Sequence, residues 1–215
     1  MSTSLLFRQA KASDIPFLVE AIIAAEKSGT DRLSYATIYD LEEPEVERLL
    51  SEMLDEEIGG QELCFSSFHI LESEEKPAAT MAVWIEGEEG SSSVLRSALL
   101  AHYIPMDNLK KAMAFRPVFT DLRMDRTEGS LQMESIYVAP EERGKGHLSA
   151  LMKHISAQYK GKTKRAELQV DGENIRAINA YEKIGFRISL ERQSDKADAL
   201  RILPSNKKCA MTLDL

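Results

Sequence analysis

Apolar residues recur at spacings of three and four in several stretches and run together or alternate in others, which divides the chain into helices and strands. Leu5 to Arg8 is a short apolar start that predicts an edge strand. Ser13 and Asp14 predict caps for a helix that accepts Pro16 in its first turn, with an apolar stripe of Ile15, Leu18, Ile22 and Ala25. The run from Lys27 to Thr30, with Gly29 inside it, breaks that helix. A second helix is predicted after Pro44, with Val46, Leu49, Leu50, Met53 and Leu54 on one face and Gly59 and Gly60 as its stop. Cys64 to Leu71 and Ala78 to Ile85 read as two strands of a hairpin with a longer, charged loop from Glu72 to Pro77. Ser91 to Ser93 predict a cap for a helix through Tyr103, and Asp107 one for a helix through Phe115 before Pro117. Residues 91–128 therefore read as an inserted helical segment.

The last third alternates between the two periods. Leu131 to Val138 predicts a strand, Pro140 to Gly146 a charged, glycine-rich turn, and Leu148, Leu151, Met152, Ile155 and Tyr159 a helical stripe. Arg165 to Val170 is a further strand, followed by a turn at Asp171 and Gly172 and a helix with Ala177, Ile178, Tyr181 and Ile184 facing inward. Gly185 stands where a left-handed stop is expected. Phe186 to Leu190 and Cys209 to Leu213 close the chain as strands around a polar loop from Gln193 to Lys208. Strands alternating with helices predict an α/β sheet covered by helices.

Composition narrows the class. Apolar residues are 43% of the 215 and charged residues 29%, close to a soluble globular average. Cys64 and Cys209 are too few for a disulfide framework and too far apart for a zinc cluster, so no metal site is predicted. The absence of a long apolar run, and of a basic and then apolar start over Met1 to Ala10, predicts a soluble cytoplasmic protein without a membrane partner. A net charge of −8 argues against nucleic-acid binding. The charge is uneven: residues 131–215 carry 15 Lys/Arg against 11 Asp/Glu, whereas residues 1–130 carry 12 against 24. One anionic ligand beside one cationic or neutral ligand fits that distribution, although surface charges are often uneven without a ligand.

The most informative segment runs from Val138 to Leu148, where a strand enters a turn containing Gly144 and Gly146 that opens directly into an amphipathic helix. Glycine lets successive N–H groups converge, and the helix start adds its unpaired amides and positive end, which together make an anion cradle. Arg143 and Lys145 add charge beside it. The alternative is a surface turn carrying two solvated cations. A nucleotide P-loop requires Gly-Lys-Ser/Thr, which is absent. A dinucleotide fingerprint fails because Ser149 stands where its third glycine belongs.

The string Arg143-Gly144-Lys145-Gly146 after Ile136-Tyr137-Val138-Ala139-Pro140 resembles the acyl-CoA signature, Arg/Gln-x-x-Gly-x-Gly/Ala, of the GNAT N-acetyltransferase superfamily. The stretch from Asn174 to Phe186 is similar to that family's second motif, Asn-x-x-Ala-x-x-x-Tyr-x-Lys-x-Gly-Phe, at every defined position. The motifs stand in the family's order and cover residues 131 to about 190. Leu148 departs from the pattern, standing where relatives carry Gly or Ala, so its side chain must find room at the first helical turn. The resemblance implies one acyl-CoA N-acyltransferase domain over residues 1–215, with a mixed, mostly antiparallel central sheet flanked by helices and the helical insertion before the fourth strand.

It also implies acetyl-CoA as co-substrate, lying between two splayed strands. Ile136, Tyr137 and Val138 would pair with its pantetheine arm, and Arg143, Gly144, Lys145, Gly146, His147 and Leu148 would surround the diphosphate, with Asn174 touching the arm. Asn174 is also expected as a helix N-cap. Direct attack by a primary amine in a ternary complex then needs an acceptor for the amine proton, a donor to the carbonyl oxygen and a proton for the departing thiolate. Tyr181, matching the motif tyrosine, is the candidate acid, since a phenol with pKa near 10 stays protonated at neutral pH; as a residue, it also fits a packed inner face. Glu134, with the same strand parity as Ile136 and Val138, is the candidate base, or else a binding carboxylate or a cross-strand ion pair. The Val138 N–H is the candidate oxyanion donor.

None of His69, His102, His147 and His154 is read as a ligand, and Trp84 and Tyr35 fit either an acceptor pocket or the core. The acidic N-terminal part and the 91–128 segment would border the acceptor, which suggests a cationic one: a polyamine, an amino acid or a lysine side chain, small molecule or peptide. A non-catalytic acyl-CoA sensor, another acyl donor and a hydroxyl acceptor are the alternatives. Leu95, Leu99, Leu109 and Met113 would serve a homodimer or a core equally.

Overall fold

The computed structural model describes residues 5–215, so the part of the N-terminal reading that rests on residues 1–4 lies outside the described residues. Strand β1 (Leu5–Gln9) leads to helix α1 (Ile15–Lys27), a short α2 (Ser34–Tyr39) and α3 (Glu43–Asp55). Strands β2 (Phe68–Ser73) and β3 (Lys76–Ile85) form a hairpin, followed by α4 (Ser92–Tyr103), α5 (Met106–Met113) and α6 (Arg116–Asp121). The remainder runs β4 (Leu131–Val138), α7 (His147–Tyr159), β5 (Arg165–Asp171), α8 (Ile175–Glu182), β6 (Arg187–Gln193), α9 (Ala199–Ile202) and β7 (Lys207–Asp214).

The strands make one sheet in the order β1-β2-β3-β4-β5-β7-β6. Every neighbouring pair is antiparallel except β4 and β5, which run parallel. This is the expected mixed, mostly antiparallel sheet, with β1 at an edge and α4 to α6 inserted before the fourth strand. No helix among the described residues is long and apolar enough to cross a membrane.

Helices cover both faces. On one, Leu18 and Ile22 of α1, Leu50 and Leu54 of α3 and Leu100 of α4 bury against Phe68, Ile70, Ala82 and Trp84. On the other, Leu151, Met152 and Ile155 of α7 and Ile178 and Tyr181 of α8 bury against Met81, Val83, Leu131, Met133 and Met211. The α3 stripe is buried at all five expected positions because a helix with apolar residues three and four apart presents a single face. Leu99 of the insertion is buried and Leu109 packs beside the first core, whereas Met113 is exposed.

Two readings of the hairpin need correction, and three short helices, α2, α6 and α9, form where none is predicted. The Glu72–Pro77 loop shrinks to a turn centred on Glu74 and Glu75, whose φ values of 53° and 62° are both left-handed. That is the backbone of a two-residue hairpin turn, whose twist matches the strands it joins. The charged residues on either side remain in the ladder, with Ser73 opposite Lys76. Residues 64–67 turn rather than extend, Ser67 N–H donating to the Cys64 carbonyl, so β2 begins at Phe68. Helix α2 has too little length to show a period; its Tyr35 is buried by tertiary packing.

Candidate active site

Gly144 and Gly146 have φ of +80° and +84°, the region where a Cβ is disfavoured. A Cβ built on either would meet nothing within 4 Å, so backbone conformation, not crowding, calls for glycine here. Gly146 is the N-cap of α7. None of the N–H groups from Gly144 to Ser149 has a hydrogen-bond partner among the described residues. Six consecutive free amides beside a helix N-terminus are the equipment for an anion.

The side chains around this turn divide. Arg143 Nε donates to the Val138 carbonyl at 3.1 Å, which ties the turn to the end of β4. The Lys145 ammonium lies 2.7 Å from Glu142 and does not line the cleft beside it. His147 is buried, with Nε2 2.7 Å from the other Glu142 oxygen, so its ring braces the turn while its amide stays free. Leu148 finds its room by packing partly into the core beneath α7 while still lining the cleft.

Strands β4 and β5 pair only at Leu131 with Ala166 and at Gln132 with Glu167. Beyond those rungs they part: β4 continues to Val138 along β3, and β5 continues to Asp171 along β7. The Ala139 N–H donates to the Ala78 carbonyl on the β3 side. Strand alternation therefore turns the Val138 N–H the other way, into the gap. Ile136, Tyr137 and Val138 all line the cleft, and the Tyr137 hydroxyl also donates to Glu20 of α1 at 2.5 Å.

The expected parity of Glu134 with Ile136 and Val138 does not hold. Ser135 has φ of 49°, and the register with β3 shifts between Thr80 and Ala82, so β4 is bulged between Glu134 and Tyr137. Met133, Ile136 and Val138 belong to the α7 face, and Glu134 lies on the opposite one. A bulge inserts one residue and re-aims the side chains after it. Its result here is that Glu134, from one face, and Tyr181 of α8, from the other, line the same gap.

Tyr181 is 8% exposed, and burial together with the Glu134 charge pushes its phenol well above the ordinary tyrosine value. It therefore holds its proton. Burial raises the Glu134 carboxyl, and Arg126, with Nη2 3.1 Å from Oε1, pulls it back. The same guanidinium donates to Ser92 Oγ at 3.2 Å and lies 5.3 Å over the Trp84 ring. Asn174 caps α8 by accepting the Ala177 N–H at 3.1 Å, and its amide donates to Ser28 Oγ at the end of α1 at 3.0 Å.

One cleft of about 2010 Å³ connects the glycine turn, the strand gap and a charged chamber beyond it. In the chamber Arg96 pairs with Glu62 at 3.0 Å and lies over the Tyr35 ring, whose hydroxyl it also reaches at 3.3 Å. Glu26 of α1 and Lys208 of β7 line the same chamber. Tyr35 is thus both buried and cleft-lining, whereas Trp84 lies behind Arg126. Sequence reading did not single out Glu26, Glu62, Arg96, Arg126 or Lys208. Each is an ordinary charge in its own segment, and only the fold gathers them. No group of three or more His, Cys, Asp or Glu able to hold a metal occurs among the described residues.

A profile described as the Acetyltransferase (GNAT) family matches residues 34–186. No curated protein matches the sequence. Among solved structures, the chain is similar to an N-acetyltransferase from Staphylococcus aureus Mu50, with 15% identity, a TM-score of 0.69 and coverage of 97% of this chain and 100% of that one. It is similar to an agmatine N-acetyltransferase at 12% identity and a TM-score of 0.59, covering 98% and 99% of the two chains. The spermidine/spermine N-acetyltransferase SpeG from Vibrio cholerae gives 13% identity, a TM-score of 0.53 and coverage of 98% and 95%. At these identities the likeness is one of fold.

Proposed function

The chain belongs to the GNAT acetyltransferase family, and from that premise we propose that it is an N-acetyltransferase moving an acetyl group from acetyl-CoA to a primary amine by direct attack in a ternary complex. The observation that carries this reading is the meeting, in one cleft, of the unpaired amides of Gly144 and of Gly146 to Ser149 with a carboxylate and a phenol across a parted strand pair.

In this reading the amides of Gly144 to Leu148 hold the diphosphate of acetyl-CoA, with Arg143 fastening the turn. Lys145 contributes only long-range charge, and His147 contributes its amide and a braced ring. Ile136, Tyr137 and Val138 border the pantetheine arm from β4, and Asn174 from the start of α8. Acetyl-CoA supplies the acetyl group as a thioester.

Glu134 takes the proton of the entering ammonium, directly or through water, so that nitrogen can bond to the acyl carbon. The Val138 N–H, directed into the gap, donates to the carbonyl oxygen as charge develops there. When the carbon–sulfur bond breaks, the Tyr181 hydroxyl gives its proton to the thiolate, and the second proton leaving the acylated nitrogen passes through water to restore the phenol. Its raised pKa keeps the phenol protonated at neutral pH until the thiolate forms.

The test is incubation with acetyl-CoA and a panel of primary amines while free thiol is followed. Thiol release dependent on an amine is expected. Binding of acetyl-CoA without release for any amine would favour a sensor that keeps the cleft without the reaction.

A further inference from the structure

The chamber beyond Glu134 contains two groups that the transfer chemistry leaves unused. Two of its acids are already matched, Glu62 by Arg96 at 3.0 Å and Glu134 by Arg126 at 3.1 Å. Among the described residues, the side chains of Glu26 and Lys208 make no hydrogen bond or ion pair, yet both line the chamber.

Their placement follows from the strands. Cys209 and Met211 of β7 are buried beneath α7 and α8, so alternation turns Lys208 to the opposite face. Glu134 lies on that same face. Lys208 stands opposite Asp171, on the arm of β5 that β4 has left, so the parted strands leave it facing open space. Glu26 approaches from the last turns of α1.

An acceptor with ammonium groups only would set one of them against Lys208. An acceptor with an anion only would face Glu26. An isolated charge removed from water is costly, and one met by its opposite is not, so the two free groups select for a ligand carrying both signs. Burial also shifts both groups toward neutrality, raising Glu26 and lowering Lys208, and a matching ligand charge relieves that cost.

We propose that the acceptor is a small zwitterionic amine, an amino acid or close analogue, whose carboxylate rests on Lys208 while its ammonium enters between Glu26 and Glu134. This rests on the reading of the cleft as an amine-acetylating site, and it narrows the cationic acceptors suggested by overall charge to those that also carry an anion. Lys208 is a specificity residue: it touches the acceptor and takes no part in proton transfer.

The experiment uses the full chain saturated with CoA and a panel of the common α-amino acids, each beside its α-carboxamide and its decarboxylated amine. Affinity is read by calorimetry, and kcat/KM by thiol release with acetyl-CoA in place of CoA. At least one free acid is expected to exceed its amide and its amine by tenfold or more in both readouts. Lys208→Met is expected to erase that preference with acetyl-CoA affinity unchanged, and Lys208→Arg to keep it. An amide bound as well as its acid throughout the panel would overturn the proposal, as would a preference that survives Lys208→Met. If no member releases thiol but the Lys208-dependent binding preference is present, the carboxylate subsite stands and the transfer reading fails.

Discussion

At the glycine turn the cleft is lined by residues with unpaired main-chain amides, Gly144 and Gly146 to Ser149. At the opposite end, side chains from α1, the segment after α3, α4, the segment before β4, β4 itself and β7 meet around one chamber. The first construction is local. It needs left-handed backbone at two positions and a helix immediately after them, and both demands are written in adjacent residues. The second is non-local: Glu62 and Arg96 are 34 positions apart, and their pairing depends on how α3 and α4 pack over the sheet. A site made of backbone leaves a readable string, and one made of distant charges does not. In the proposed function the local end takes one class of ligand, while the other is free to vary with the acceptor.

Substitutions at the two ends should therefore separate chemistry from binding. The largest expected effect is from Glu134→Gln, which removes the proposed base while keeping its shape: kcat should fall by roughly 100- to 10,000-fold, with acetyl-CoA affinity kept. Wild-type turnover in that variant would transfer the role elsewhere. Tyr181→Phe should lower kcat by roughly 10- to 1,000-fold, also with little change in acetyl-CoA affinity. Full activity would remove the phenol from the mechanism.

At the glycine turn the balance should reverse. Gly146→Ala has open space for its methyl group but must hold φ of +84°, a strain of about 1–2 kcal/mol. Acetyl-CoA affinity should weaken by about tenfold, with kcat at saturation nearly unchanged, as separate titrations and rate measurements would show. A loss confined to kcat would contradict the division between the two ends.

The smallest effect is a displacement along the pH axis. Arg126 lowers the Glu134 carboxyl against the raising effect of burial. A base works only when deprotonated, so replacing Arg126 with Met, which lets the carboxyl rise further, should move the acid limb of the kcat/KM profile to higher pH. A limb that stays in place, or moves to lower pH, would show that Glu134 does not set it.

Legibility followed the same division. The sequence pattern alone bounded β4 as Leu131 to Val138 and gave the buried face of α3. The family motifs brought Tyr181, Asn174 and the glycine turn to one cleft in advance. The parity of Glu134 was misread because nothing in the residue types of β4 announces a bulge; Ser135 takes a left-handed φ only because the register with β3 shifts there. The hairpin turn at Glu74 and Glu75 was hidden similarly, since glutamates in left-handed conformation lack the Asn-Gly or Asp-Gly signal of such turns. Of the charged chamber, the sequence reading had Glu134 and Tyr35 but not Glu26, Glu62, Arg96, Arg126 or Lys208, because a lone charge in its own segment reads as solvated until the fold places another against it.

The central claim is that main-chain amides around Gly144 and Gly146 grip the diphosphate of coenzyme A, and it has a direct test. Calorimetric titration of the folded protein with acetyl-CoA and with S-acetylpantetheine, which keeps the thioester arm and lacks the diphosphate, isolates that grip. Acetyl-CoA should bind at least a hundredfold more tightly. Equal affinities for the two, or no heat with acetyl-CoA at all, would contradict the account.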